Sequence, residues 1–225
     1  FSRAIHPTTW RPWWSFGCGG LGDIGCHTID TAYWALGLGA PDKVEVDMTE
    51  KANPIHTPNG STVTYKFPSR GSQPAVDVKW IEGPRLPKAP TGYDWDIKGN
   101  GGFIMVGEKG GISHDGMRPN SPRLYPKSRW EDYRKNANER VPKTLKRVPG
   151  IHNDWVNGIR NSEMTVSDFS YSGPLTESII LGTLAIRTGK GLEWNAKDMK
   201  ISGNKEAAAL IDVEARKGWR PSDLV

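Results

Sequence analysis

The chain has 225 residues, of which 36% are apolar, with a net charge of +5 and a mean hydropathy of −0.58. It is long enough to bury a substantial core, and no run approaches the ~18 consecutive apolar residues of a membrane span, so no membrane association is expected. With 26 glycines and 17 prolines it reads as a loop-rich fold rather than a helical bundle.

Residues 1–20, which include HPTTWRPWWSFGCGG, read as an irregular lead-in loop. The chain opens at Phe1 with no initiator Met, no basic n-region and no apolar h-region, which predicts no signal peptide here and a segment ahead of Phe1. A helix is expected over 22–36, stopped by Gly37, Gly39 and Pro41. Alternating runs follow at Lys43–Thr49, Ser61–Phe67 and Ala75–Ile81. Val44, Val46 and Met48 share one face of the first, and Val63, Tyr65 and Phe67 share one face of the second. Period-two alternation with polar opposite faces predicts an antiparallel sheet covered on one side.

GGFIMVGEKGGISHDG predicts a hairpin, with Phe103–Glu108 and Ile112–His114 joined by Lys-Gly-Gly. Residues 118–149 read as a long, basic, Pro-rich excursion. Between Arg118 and Arg147 stand ten Lys/Arg against three acids, a local net of +7. Four prolines interrupt that stretch and it matches no nucleic-acid motif, so a solvated loop or subunit contact is expected and nucleic acid is not. Next come a short helix with Ile151, Trp155 and Ile159 every four residues, and a longer one with Pro174 near its start and Gly189 after its end. A strand around Leu192–Trp194 and a helix over Lys205–Lys217 close the chain. The order predicts one α+β domain over 1–225, an open-faced, mostly antiparallel sheet with helices on one face.

GCGGLGDIGCHTID, Gly17 to Asp30, supports two incompatible readings. Gly17, Gly19 and Gly22 form a literal G-x-G-x-x-G. A dinucleotide fingerprint needs an apolar strand before it and a buried parallel strand after it; here TTWRPWWSF precedes and the alternating KVEVDMT follows. Asp23 would also repel a pyrophosphate from the helix N-terminus. The match is therefore read as a turn.

On the helix, Ile29, Ala32, Tyr33 and Leu36 form an apolar stripe, while Asp23, His27, Asp30 and Trp34 share another face. An Asp one turn before a His can orient the imidazole or raise its basicity. The spacing leaves open a plainer assignment, with Asp23 as a helix-start acid and His27 as a packed, buried histidine. Cys18, Cys26, Asp23 and His27 fit no zinc spacing, and no metal is expected. The two cysteines, too loosely spaced for a C-x-x-C pair, are expected reduced and packed.

GGLGDIGCHTIDTAYWALG resembles the G-G-x-L-x-D-x-x-x-H-x-x-D helix that opens the C-terminal substrate domain of the Gfo/Idh/MocA oxidoreductases. HPTTWRPWWSFGCGGLGD, FSYSGPLTESIILGTLAIRTGKGLEWNAKDMK and ARKGW extend the likeness to a bacterial branch of that family along nearly the whole chain. The resemblance implies His27 as the base that takes a substrate hydroxyl proton, Asp23 as its orienting or hydroxyl-holding partner, and Asp30 in support. It implies sugar, cyclitol or related polyol substrates, and NAD or NADP held by an N-terminal Rossmann domain in cis or trans. No strand–turn–helix fingerprint and no Glu-Lys-Pro lysine occur in this sequence, so no cofactor is expected on this chain alone, and the chain alone is expected to be inactive. The family's free sheet face often meets another subunit, implying a homo-oligomer. The compartment is not assigned: bacterial cytoplasm, or periplasm if the enzyme is exported.

Trp10, Arg11, Trp13 and Trp14 lie just before the helix and are candidates to rim the pocket, indoles for sugar faces and Arg11 for hydroxyls or a carboxylate; pinning the lead-in loop is the plain alternative. His152, opening a helix, and Tyr171, in a loop before one, are further substrate-binding candidates against plain capping or packing roles. The rival function is a non-catalytic carbohydrate-binding or oligomerisation module that retained the fold.

Overall fold

A computed structural model describes residues 6–85, 87–96, 101–136, 140–211, 215–220 and 223. They gather into two compact units, one of Phe1–Asp23, Ala40–Arg85 and Ser178–Val225, the other of Ile24–Gly39 and Leu86–Glu177.

The first unit is built on a five-stranded sheet of order β3-β2-β1-β7-β8. Its strands are β1 (Lys43–Met48), β2 (Ser61–Phe67), β3 (Val76–Glu82), β7 (Leu192–Asn195) and β8 (Lys200–Ser202), and every pairing is antiparallel. Val46 stands opposite Val63, and Val63 opposite Trp80, so the period-two pattern is in register across the three strands read from sequence. Val44, Val63, Tyr65 and Phe67 are buried. Helix α4 (Phe169–Thr188) crosses into this unit at Ser178 and meets Tyr65 at Gly182: a Cβ there would lie 2.0 Å from the phenol oxygen. Only glycine lets the helix backbone approach so closely. On β1, β2 and β3, Glu45, Lys66 and Asp77 form a ladder of alternating charge, with Lys66 Nζ 3.6 Å from Glu45 and 3.0 Å from Asp77.

Gly189 (φ +66°) stops α4, and buried Asn204 ties the following segment together. Its amide donates to Thr188 Oγ1 (2.8 Å) and the Lys190 carbonyl (3.1 Å), and its oxygen accepts from Ala207 N–H (3.0 Å). The helix it caps, α5, covers only Lys205–Ala208, shorter than expected. Beyond it, bonds from Leu210 to Ala207 and from Ile211 to Ala208 tighten into i−3 turns; residues 212–214 lie outside the described residues.

The second unit carries a three-stranded antiparallel sheet of β4 (Gly102–Gly107), β5 (Gly110–Asp115) and β6 (Arg123–Tyr125). The hairpin turns at Glu108-Lys109, with Gly107 paired to Gly110, rather than at Lys-Gly-Gly. The stretch 118–149 is not wholly irregular: it contributes β6 and helix α2 (Lys127–Lys135). Strand pairing creates β6, with Leu124 opposite Ile112 and Arg123 opposite Ser113. Asp94 starts α2 by accepting the Lys127 N–H with both carboxylate oxygens (2.9 and 2.8 Å).

Helix α3 (Ile151–Asn161) forms where its periodicity predicts, but Ile151, Trp155 and Ile159 are 65%, 62% and 65% exposed. Helix α4 begins at Phe169, five residues before Pro174, because Asp168 accepts from the Ser170 N–H and hydroxyl at its start. Those bonds, the hydroxyl first, hold the Asp168 carboxyl below the ordinary aspartate range. Pro174 is accommodated inside the helix with the loss of one ladder bond.

Candidate functional site

Helix α1 runs from Gly19 to Ala35, three residues earlier at its start than the sequence pattern suggests. Ile29 and Tyr33 are buried, whereas His27 and Trp34 are exposed and Asp23 and Asp30 half-buried. The helix therefore has the two sides its periodicity predicts, and the titratable side is open.

The lead-in loop sets the start of α1. Thr57 N–H donates to the Pro12 carbonyl (2.8 Å) and Trp14 N–H to the Ile55 carbonyl (3.0 Å). The Trp14 indole N–H donates to the Asn53 carbonyl (2.8 Å), and the Arg187 guanidinium lies 5.5 Å from its ring centroid. Trp13 forms a β-bridge with His56, their rings edge-on at 6.2 Å. Trp13 and Trp14 thus spend much of their surface pinning the loop, while Trp10 is 40% exposed.

That loop also packs against the glycines. Gly19 N–H donates to the Arg11 carbonyl (3.0 Å), and a Cβ on Gly17 would lie 2.4 Å from the same oxygen. A Cβ on Gly20 would lie 2.5 Å from a Glu82 carboxylate oxygen, and one on Gly22 2.5 Å from Cys18 Sγ. The glycines are filled from within by protein atoms, a carboxylate among them, and turns rather than a strand precede them. A pyrophosphate needs open N–H groups and no anion at that position, so these residues do not fit a dinucleotide.

Each acid on α1 has a partner of its own. In the first unit, Arg11 Nε lies 2.9 Å from Asp23 Oδ2, with both side chains partly exposed. In the second, the Tyr171 hydroxyl donates to Asp30 Oδ1 at 2.5 Å. Tyr171 packs edge-on to buried Tyr33 (5.7 Å), whose own hydroxyl donates to the Gly39 carbonyl (3.0 Å). Burial first, and then the Asp30 carboxylate, push the Tyr171 phenol above the usual tyrosine range. Tyr171 lies in the first turn of α4 rather than in a loop, because α4 starts earlier than expected.

His27, placed one turn after Asp23, is exposed, so the buried-histidine assignment does not hold. Cys18 and Cys26 are also exposed rather than packed. Cys18 sits in the tight turn before α1, and Cys26 falls on the outward side of the helix beside His27. Among the described residues no group of three or more His, Cys, Asp or Glu is arranged to hold a metal. His152 is exposed in the first turn of α3. Sequence reasoning missed Tyr33 as the support of Tyr171, and the cluster around Trp95, Arg123 and Lys127 in the second unit. Residues separated by so much chain carry no local signal of their meeting.

Among the described residues the architecture is α+β, with antiparallel sheets and five helices. The chain belongs to the family described as the GFO/IDH/MocA C-terminal domain, whose profile matches residues 1–113. That is a family of oxidoreductases, and the matched segment contains Trp10, Arg11, Trp13, Trp14, Asp23, His27 and Asp30; His152 and Tyr171 lie beyond it. No curated protein matches the chain.

Proposed function

We propose that this chain is the substrate-binding and catalytic half of an NAD(P)-dependent oxidoreductase acting on a sugar, cyclitol or related carbinol. The observation that carries the proposal is the exposed His27 on a helix whose two acids are each anchored, Asp23 by Arg11 and Asp30 by Tyr171. His27 takes the hydroxyl proton as the carbinol carbon is oxidised to a carbonyl. Asp23, its Oδ2 fixed by Arg11, holds that hydroxyl or orients the imidazole, and Asp30 supports the pair. NAD or NADP, bound by a Rossmann domain in cis or trans, supplies the hydride acceptor. The glycines of this chain take no part in holding it.

A second reading, a non-catalytic carbohydrate-binding module, draws on the exposed indoles of Trp10 and Trp34. One experiment separates the two. The chain is incubated with NAD+ or NADP+ and a panel of aldoses and cyclitols, alone and with a Rossmann domain encoded beside it, while reduced cofactor is followed by absorbance. The expected result is oxidation that requires the Rossmann domain and falls roughly 10²–10⁴-fold in His27→Asn. Saturable sugar binding with no oxidation under any of these conditions would select the binding module instead.

A further inference from the structure

The second unit contains a built cluster that the residues on α1 do not use. Trp95 is fixed by its indole N–H, which donates to the Leu124 carbonyl (3.0 Å) on β6. The Arg123 guanidinium lies 4.9 Å from its ring centroid and Lys127 Nζ 5.1 Å, so two cations share one indole. Among the described residues neither cation forms a salt bridge. Strand register sets Arg123 opposite Ser113, and Lys127 opens α2. The N-terminus of α2 is already occupied by the Asp94 carboxylate, so the side-chain cations, not the helix end, are what remain to meet a ligand.

A cavity of about 200 Å³ opens at this cluster, lined by Trp95, Asp96, His114, Asp115, Arg123 and Lys127 among others. His114 is 6% exposed, and its Nδ1 lies 3.1 Å from the Asp115 carbonyl. A carbonyl only accepts, so Nδ1 is the donor in that bond. The ring's Nε2 is buried and has no hydrogen-bond partner among the described residues. The cavity thus sets two cations, Arg123 and Lys127, beside two acceptors, Asp96 and Asp115.

We propose that this cavity binds a small anionic polyol, a hydroxylated carboxylate or phosphate ester of monosaccharide size, with Arg123 and Lys127 holding the anion. The volume lies below the ~300–1,000 Å³ of pockets for larger ligands, which excludes an oligosaccharide. Asp96 and Asp115 accept from hydroxyls and oppose a polyanion. The excess positive charge of the segment from Arg118 to Arg147 attracts such a ligand from a distance. The proposal stands independently of the reaction assigned to His27.

The test is calorimetric titration of the full chain with D-glucuronate, D-glucose 6-phosphate, D-glucose and inorganic phosphate. Saturable binding of glucuronate or glucose 6-phosphate is expected, and whichever binds tighter identifies the anion as carboxylate or phosphate. Binding should weaken at least about tenfold in Arg123→Gln and in Lys127→Gln. Lys127 is exposed on α2, so its variant remains informative if Arg123→Gln fails to fold. Absence of binding by both anionic sugars, an equal response to glucose or to inorganic phosphate, or indifference to the Lys127 substitution overturns the proposal.

Discussion

Removing the Tyr171 hydroxyl isolates the bond that anchors Asp30. In Tyr171→Phe the edge contact with Tyr33 is retained, so the change reports the 2.5 Å bond to Asp30 Oδ1 rather than ring packing. A hydrogen bond to a charged acceptor contributes ~1.5–3 kcal/mol when well shielded. Asp30 is half-buried and water partly replaces the phenol, so about 1 kcal/mol is expected. Urea unfolding of wild type, Tyr171→Phe, Asp30→Ala and the double variant measures it as a coupling energy. With a slope near 2.5 kcal/mol per molar, the Tyr171→Phe midpoint should fall by roughly 0.4 M. The pH dependence has a defined sign. The folded-state phenol is held above its ordinary range, so the unfolded chain ionises first. The stabilisation is complete below about pH 10 and is lost as pH rises further. The gap between wild type and Tyr171→Phe should therefore stay constant from about pH 7 to 9 and narrow above 10. A coupling below about 0.3 kcal/mol, or a gap that widens in alkali, would refute the anchoring role.

Two other substitutions probe the frame of the first unit. Gly182→Ala drives a methyl to within 2.0 Å of the buried Tyr65 oxygen and 2.8 Å of Leu21 Cδ2, and should cost about 3 kcal/mol, read as a melting point lower by roughly 6–12 °C. Among the described residues the Tyr65 hydroxyl has no hydrogen-bond partner, so Tyr65→Phe should recover part of that loss; no recovery would place the clash elsewhere. Asn204→Ala removes the α5 cap and leaves Thr188 and Lys190 without its amide, for an expected loss of about 2–3 kcal/mol by denaturant titration.

The strands β1, β2 and β3 were legible to within a residue because each alternates, and along β2 the period-two pattern and burial agree residue by residue. The two sides of α1 were legible for the same reason at helical period. The flanks of the glycine match argued against a dinucleotide site, and in the structure Arg11, Glu82 and Cys18 pack against the glycines of that stretch. What stayed hidden depends on distant pairing. β6 is three residues long and exists through its register with β5, and α2 starts where Asp94, 33 residues earlier, reaches it. Tyr171 and Asp30 are 141 residues apart, so each could be proposed singly but not as a pair. Apolar periodicity located α3, yet it says nothing about what covers the stripe of Ile151, Trp155 and Ile159.

The strand order of the five-stranded sheet bears on how the protein behaves when concentrated. Among the described residues β3 and β8 are the rims, each with a neighbour on one side. β8 is three residues long, too short to template another chain. β3 has seven residues, but Asp77 and Lys79 are exposed along it and Pro74 and Pro84 bracket it. Brevity at one rim and charge with proline at the other are devices that discourage strand-by-strand growth. The sheet is thus a poor seed for fibrils, despite an apolar side that would suit one.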